Sequence, residues 1–233
     1  MNTRAVTAAI AAAAIAWMFG CGGKDAKDKP ATAAAAPDTV AAVPDTAAVA
    51  PDTATTFTDK RDGKVYKIVK IGRQTWFAEN LNYDTARSVC YDNKAENCAK
   101  YGRLYNWETA LKACPAGTHL PTDDEWKTLV DYSGVRKKAG TKLKSSTGWN
   151  SYKDVPTGTD EYGFSALPGG GSNTGIRSHH PGSVGYWWSA TAWDDALIWY
   201  MGAGSEGVIR DNGDKINLFS VRCVLNDEKD KQI

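Results

Sequence analysis

The apolar residues between Asn106 and about Cys114 recur with the spacing of an amphipathic helix. They fall at i, i+3, i+4 and i+7, which places them on one face of a helix. Pro115 follows directly and is expected to end the helix, because proline has no backbone N–H to continue it. The pattern therefore predicts a helix with this buried face: Trp107, Ala110, Leu111 and Cys114.

A second helix is predicted to start at Thr122-Asp123-Asp124-Glu125. This is a capping box, in which Thr122 and Glu125 each bond a backbone amide that the first helical turn leaves without a partner. The apolar residues that follow have helical spacing and predict a buried face made of Trp126, Leu129 and Val130.

Shorter apolar runs predict strands rather than helices. The segments Lys64 to Ile71 and Thr75 to Phe77 flank Gly72-Arg73, which suits a two-residue hairpin turn. A last strand is predicted from Ile216 to Leu225, after a turn at Asp211-Asn212-Gly213. Alternation along that strand predicts one inward face: Phe219, Val221, Cys223 and Leu225.

The N-terminal pattern is different, because residues 1–20 contain an apolar run with Arg4 as their one charge. The run is shorter than the ~20 apolar residues of a membrane span, so it is interpreted as a signal peptide. Gly20-Cys21 at its end resembles a bacterial lipobox, which implies cleavage before Cys21 and acylation of its thiol, with palmitate among the acyl groups. An ordinary secretory signal and an uncleaved anchor are the alternatives.

Residues 21–56 form a low-complexity segment, apart from Cys21. A seven-residue unit recurs in it, and the proline in every copy excludes a continuous helix. The copies are Ala36-Pro37-Asp38-Thr39, Val43-Pro44-Asp45-Thr46 and Ala50-Pro51-Asp52-Thr53. Such a composition predicts a disordered, extended tether that holds a domain away from the membrane. The folded domain is then expected at 57–225, followed by a polar tail at 226–233.

The four cysteines of that domain are expected to form two disulfides. Cys114 and Cys223 both have predicted inward positions, so a bridge between them is expected, and Cys90 then pairs with Cys98 by elimination. A zinc site is the competing interpretation, but the spacings contain no CxxC or HxxxH pattern. Disulfides agree with export to an oxidising compartment.

Charge excludes one class of partner. The chain has 28 basic and 27 acidic residues, and the basic residues form no cluster. Nucleic acid is therefore not an expected partner, because its binding proteins concentrate positive charge on one surface. Attraction to anionic lipid is not expected either, so the membrane link would be the covalent lipid.

Several motifs resemble the Fibrobacter succinogenes major paralogous domain family, and they occur in that family's order. They are Trp76-Phe77-Ala78-Glu79-Asn80-Leu81-Asn82, Tyr101-Gly102-Arg103-Leu104-Tyr105-Asn106-Trp107, the segment from Ala113-Cys114-Pro115 to Glu125-Trp126, Gly163-Phe164-Ser165-Ala166-Leu167-Pro168-Gly169-Gly170, Trp187-Trp188-Ser189 and Val221-Arg222-Cys223. Thr118 departs from the family, which commonly has tryptophan there. The resemblance implies an exported protein or lipoprotein without an agreed activity.

The Leu-Pro-Thr-x-x-Glu-Trp core, here Leu120 to Trp126, also resembles formylglycine-generating enzymes, which have a C-type-lectin-like fold. The fold class expected is thus α+β and C-type-lectin-like. It would contain two helices, short twisted antiparallel strands and long loops, stabilised by disulfides. Fold alone does not assign a function.

Catalysis is not expected from these residues. A formylglycine-type enzyme needs two reactive cysteines, and all four domain cysteines are assigned to disulfides. His119 is interpreted as a buried, hydrogen-bonded histidine, and His179 and His180 lie in a loop without a neighbouring cysteine. Gly169-Gly170-Gly171 lacks the Lys and Ser/Thr of a phosphate-binding loop. We therefore assign no catalytic residue and no cofactor.

Binding through loop aromatics is the preferred hypothesis. Trp76, Trp107, Trp126 and Trp188 have inward positions in predicted elements, whereas Trp193 lies in a polar stretch before Asp194 and Asp195. Trp149 is a second aromatic residue in a loop. Exposed aromatic faces hold sugar rings while polar groups bind the hydroxyls. The alternative is that Trp149 and Trp193 only fill the long loops.

Calcium is the one metal to consider. Trp193-Asp194-Asp195 resembles the Trp-Asn-Asp motif of calcium-dependent lectins, but Ca²⁺ takes six to eight oxygen ligands and no Glu-Pro-Asn or Gln-Pro-Asp motif accompanies it. Asp211-Asn212-Gly213-Asp214 also carries carboxylates, but it is interpreted first as a turn. No metal is therefore assigned.

The sequence as a whole predicts a lipid-anchored, non-catalytic binding module of the cell envelope. Gly22 stands where some inner-membrane lipoproteins have aspartate, which favours the outer membrane, with display at the cell surface. The expected ligand is plant-fibre polysaccharide or another surface component. The alternative is an envelope scaffold that docks other proteins, and a formylglycine-generating-type enzyme ranks below both.

Overall fold

The computed structural model describes residues 55–173 and 177–226. The predicted signal peptide, Cys21, the tether up to residue 54 and residues 227–233 of the predicted tail lie outside them. Four α-helices occur in this part: α1 (Ala95–Tyr101), α2 (Trp107–Ala113), α3 (Asp123–Tyr132) and α4 (Arg136–Leu143), with a 3-10 turn at Tyr91–Asn93.

The thirteen strands of this part are short, and nine have four residues or fewer. In chain order they are β1 (Thr55–Thr58), β2 (Val65–Ile71), β3 (Gln74–Phe77), β4 (Ser88–Val89), β5 (Leu104–Tyr105), β6 (Thr118–His119), β7 (Gly171–Asn173), β8 (Arg177–His179), β9 (Val184–Ala192), β10 (Ala196–Gly202), β11 (Val208–Gly213), β12 (Phe219–Ser220) and β13 (Val224–Leu225).

Two sheets carry most of the fold. The first has the order β1-β2-β3-β13-β6, and all its neighbours are antiparallel. The second has the order β11-β10-β9-β12-β5-β4, and β12 runs parallel to β9. A hairpin of β7 and β8 forms a third, two-stranded sheet. The prediction of short, mainly antiparallel strands is confirmed.

The two predicted helices are present as α2 and α3. Asn106 caps α2 by accepting a hydrogen bond from the Thr109 backbone N–H (3.1 Å), and Thr122 and Glu125 form the predicted capping box of α3. One position was predicted wrongly, because Leu111 is 40 % exposed. The helix has only seven residues, so a narrow buried stripe around Ala110 and Ala113 is enough to attach it.

Helices α1 and α4 were not predicted. Helix α1 has a polar sequence with no apolar stripe to indicate it. Helix α4 is rich in lysine and buries Ala139, Gly140 and Leu143. At Gly140 an added Cβ would lie 2.4 Å from the carbonyl oxygen of Gly207, so a close backbone contact holds the helix in addition to the burial of Ala139 and Leu143. A periodicity argument cannot detect such a contact.

The predicted last strand is the largest correction. The segment from Ile216 to Leu225 is not continuous: β12 belongs to the second sheet and β13 to the first, and the chain crosses between them at residues 221–223. Phe219, Val221 and Cys223 are buried as predicted, whereas Ile216 is 56 % exposed. The predicted alternation does not hold, because Ser220, Arg222 and Val224 are buried as well, and alternation could not reveal a change of sheet.

The predicted turn at Asp211-Asn212-Gly213 is also wrong. These residues end β11, where Asp211 pairs with Ile198 and Gly213 with Ala196. The chain turns immediately afterwards, and the Asn217 backbone N–H donates to the Asp214 oxygen (2.9 Å). Turn-forming residue types were thus found in a strand because the sheet pairing overrode their local preference.

Tryptophans fill the core, as the sequence indicated. Trp76, Trp126, Trp187 and Trp188 have no exposed surface, whereas Trp107 is half buried and donates from Nε1 to the Ser189 oxygen (2.9 Å). Both disulfides are present, Cys90–Cys98 and Cys114–Cys223. The second joins the C-terminal end of α2 to the crossing between β12 and β13.

Candidate functional site

The most exposed aromatic residue of the described chain lies in the turn between β9 and β10. Trp193 is 65 % exposed, and its backbone N–H donates to the Asp195 oxygen (3.0 Å). Lys215 Nζ, from the segment that follows β11, donates to the Trp193 carbonyl oxygen (3.4 Å). We call residues 193–195 the Trp193 turn. Its backbone is therefore hydrogen-bonded both within the turn and to a neighbouring segment.

Arg210 supports the indole of Trp193. The guanidinium carbon lies 5.4 Å from the ring centroid, a cation–π distance. Arg210 Nε in turn donates to both carboxylate oxygens of Asp123, at 2.7 and 2.9 Å. Its hydrogen bond with Asp123 raises the pKa of Arg210 against the opposing effect of burial, so the guanidinium stays charged.

Asp123 connects the Arg210–Trp193 pair to the core. It is the first residue of α3, its backbone N–H donates to Thr191 Oγ1 (3.0 Å), and its Oδ1 accepts from Trp199 Nε1 (3.0 Å). A carboxylate at a helix N-terminus is also favoured by the helix dipole. Sequence analysis missed Asp123 and Arg210 because 87 residues separate them.

Asp194 and Asp195 are both exposed beside the tryptophan. Among the residues that the structure describes, no group of three or more His, Cys, Asp or Glu side chains is arranged to hold a metal ion. The two carboxylates offer four oxygens to solvent, fewer than the six to eight ligands of Ca²⁺.

Trp149 has different surroundings from Trp193. It is half buried against the main aromatic core, Nε1 donates to the Ala166 oxygen (3.0 Å), and Lys144 Nζ lies 5.3 Å from the ring centroid. Its polar atom and much of its ring are therefore engaged within the domain. Trp149 packs as a loop-filling residue does, and Trp193 is the candidate that presents its ring to solvent.

His119 is held between two side chains. Nδ1 lies 2.6 Å from Asn226 Oδ1 and Nε2 lies 2.7 Å from Glu125 Oε1. Burial tends to raise the pKa of Glu125, but hydrogen bonds from His119 and from the Thr122 backbone outweigh it, and the net pKa is lowered. His119 is half buried rather than fully buried, and it is hydrogen-bonded as predicted.

The other sequence candidates are spread over the domain. His180 is exposed, with a left-handed backbone (φ 61°), and the side chain of His179 lies outside the described part. Asp211 and Asp214 are exposed at the end of β11 and just after it. Gly169, Gly170 and Gly171 lead into β7.

A cleft that the sequence did not predict lies at the open end of the β9–β10 hairpin, with a volume of about 380 Å³. Tyr152 and Tyr200 line it, with Gly202, Gly204 and Ser183. The run Met201-Gly202-Ala203-Gly204-Ser205, with two glycines close together, is the sequence feature that could have indicated it. Tyr152 comes from a loop about fifty residues earlier, which no local pattern connects to that run.

The helices, the antiparallel sheets and the two disulfides define a disulfide-stabilised α+β domain. The model of the Fibrobacter succinogenes major domain matches residues 69–225. This match covers more than half of the chain, and the chain belongs to that family. No curated protein and no solved structure matches it. Within the described residues, no helix has the length and apolar character to cross a membrane.

Proposed function

We propose that this protein is a non-catalytic binding module of the cell envelope that adheres to polysaccharide through the Trp193 turn. The single observation that carries the proposal is the exposed indole of Trp193, backed by Arg210 and, through it, by Asp123. An indole face packs well against the C–H face of a sugar ring, and a ring already held in place loses little entropy on binding.

The proposal includes a C-type-lectin-like fold. Three features support it: short, mainly antiparallel strands, long loops, and a disulfide from the end of α2 to the crossing between β12 and β13.

A non-catalytic role is part of the same proposal. Two disulfides join the four domain cysteines, which is the opposite of what a formylglycine-generating reaction needs. His119 has both ring nitrogens within hydrogen-bond distance of Asn226 and Glu125, so it is poorly placed to act as a general base. No cofactor is assigned, and calcium is tested with a chelator.

The envelope attachment rests on the sequence before residue 55. Acylation of Cys21, with a tether to the domain, would display the module on the outer membrane. Labelled palmitate should enter the wild-type protein and not the Cys21→Ser variant, and the variant should leave the membrane fraction. Equal labelling of the two would contradict the anchor and leave the binding proposal untouched.

Binding is tested by retention of the full-length, detergent-solubilised protein on cellulose and xylan. Trp193→Ala should reduce retention strongly. The control is Tyr132→Ala, which removes another exposed aromatic ring (50 % exposed). Equal retention of Trp193→Ala and the control would contradict the proposed site. A stable complex with another envelope protein that survives glycan competitors, without polysaccharide retention, would favour the scaffold instead.

A further inference from the structure

The tyrosine cleft, lined by Tyr152, Tyr200, Gly202, Gly204 and Ser183, has the features of a second binding site. Its volume of about 380 Å³ is at the lower end of the range for ligand pockets, ~300–1,000 Å³, which suits one or two sugar rings. Tyr152 is 50 % exposed, and Tyr200 is half buried with its ring 5.4 Å from that of Tyr186. The cleft thus offers aromatic surface that the fold itself does not cover.

The glycines give the cleft an open floor. A Cβ at Gly202 would meet its nearest atom, the Ser183 oxygen, only at 4.0 Å. At Gly204, a Cβ would lie 3.6 Å from Tyr152 Cδ1, which is ordinary van der Waals distance, so the Tyr152 ring lies beside the Gly204 backbone. Backbone groups and the ring are therefore accessible together, which a sugar needs for its hydroxyls and its apolar face.

A buried lysine holds the floor rigid. Lys144 is 1 % exposed, and its Nζ donates to the carbonyl oxygens of Gly202 (3.2 Å) and Ser205 (2.8 Å). Two more bonds fix the walls: Asn150 Nδ2 donates to Ser183 Oγ (2.9 Å), and the Ala203 backbone N–H donates to the Ser183 oxygen (2.7 Å). A cleft with a fixed shape binds a rigid ring at low entropic cost.

The lining also selects the charge of the ligand. None of the ten described lining residues is Asp, Glu, Lys or Arg; the polar ones are tyrosines, serines and His180. Hydroxyl groups that both donate and accept suit a neutral polyhydroxyl compound, whereas a phosphate or carboxylate would find no fixed charge at the surface.

This cleft is separate from the Trp193 turn. Tyr200 pairs with Ile209 and shares its face of the sheet, while the neighbouring pair, Trp199 and Arg210, faces the other way. Trp193 packs on Arg210 at the closed end of the hairpin, and Gly202 lies at the open end. Ligands at the two places would not touch the same residues.

We infer that the tyrosine cleft is an independent binding site for a neutral sugar ring, in addition to the Trp193 turn. The inference rests on the proposed function for the ligand class. The location of the site rests on the rings of Tyr152 and Tyr200, the glycine floor and the uncharged lining.

The test is isothermal titration of the full-length protein in detergent with cellohexaose and with xylohexaose. Tyr152→Ala should weaken binding of whichever oligosaccharide the wild type binds, about tenfold. Gly202→Val keeps both tyrosines but places a side chain in the cleft, in a strand that tolerates it, and should weaken binding as much. The control is Tyr132→Ala, which removes an equally exposed ring that packs against Tyr162 outside the cleft.

The outcomes separate the two claims. Loss in both cleft variants, with normal thermal unfolding and normal binding by the control, supports the cleft. Binding that survives both cleft variants but is lost in Trp193→Ala overturns the cleft and keeps the proposed function. No binding of either oligosaccharide by the wild type also overturns the cleft as stated, and retention on insoluble polysaccharide then judges the proposed function by itself.

Discussion

The guanidinium of Arg222 and the amide oxygen of Asn80 are hydrogen-bonded in the interior, from Nε at 3.1 Å and from Nη2 at 2.8 Å. Arg222 is fully buried, and its remaining donors reach the carbonyl oxygens of Phe77, Phe164 and Ser165. Burial lowers the pKa of Arg222 to about 9, so it is charged at neutral pH. The buried positive charge of Arg222 is thus stabilised by hydrogen bonds to neutral amide and carbonyl oxygens, where a carboxylate would be expected.

Asn80→Ala should destabilise the domain more than an ordinary polar truncation. The same Asn80 oxygen also accepts from Trp187 Nε1 (2.8 Å), so the variant leaves donors on two buried side chains without an acceptor. We expect a loss of at least about 3 kcal/mol in the free energy of unfolding, measured with urea. Asn97→Ala, which removes a single bond to the Tyr91 oxygen, is the control and should cost about 1 kcal/mol. Equal losses would contradict the central role of Asn80.

Acid should weaken the attachment of α3 through Glu125. Its pKa is lowered in the folded state, so its contribution to stability is present above the usual value of 4.5 and is lost as pH falls through the lowered value. Glu125→Gln keeps the capping geometry and removes the charge. The difference in unfolding free energy between wild type and variant should be largest near neutral pH and should shrink below about pH 4.5. A difference that stays constant to pH 3 would contradict this.

The two disulfides should contribute unequally. Cys114–Cys223 spans 109 residues and Cys90–Cys98 spans 8. The chain-entropy relation gives about 5 kcal/mol for the first and about 3 kcal/mol for the second. The paired variants Cys114→Ala/Cys223→Ala and Cys90→Ala/Cys98→Ala should differ in that order in urea denaturation without reductant. The reverse order would show that local strain or packing dominates.

The ion pair that supports Trp193 should be measurable as a coupling energy. The side chains of Arg210 and Asp123 are 32 % and 17 % exposed, so solvent screens the pair only in part. A double-mutant cycle with Arg210→Met and Asp123→Asn should give a coupling of about 1 kcal/mol in unfolding free energy. A coupling near zero would mean that the two residues do not act as one support.

Features with a local chemical cause were the ones the sequence could predict. The capping box of Thr122 and Glu125, the turn at Gly72-Arg73 and the buried tryptophans each follow from neighbouring residues or from a single side chain. The disulfide from Cys114 to Cys223 followed from two inward positions. The first three features depend little on how distant segments meet, whereas the disulfide joins segments 109 residues apart and was predicted because cysteine pairing is a chemical constraint at any separation.

Features that depend on distant segments were missed. Arg210 supports Trp193 only because β11 passes the start of α3, and Tyr152 lines a cleft only because its loop reaches Gly204. The change of sheet after Ser220 likewise depends on pairing with strands far away in the chain. A single sequence carries no local record of such contacts.

Adhesion to polysaccharide is measured with a depletion isotherm. Full-length protein in detergent is mixed with increasing amounts of cellulose or xylan, with calcium or with a chelator, and the unbound protein is measured. We expect saturable binding to at least one polysaccharide that the chelator leaves unchanged. Depletion no greater than that of an unrelated protein, on both polysaccharides, would contradict it.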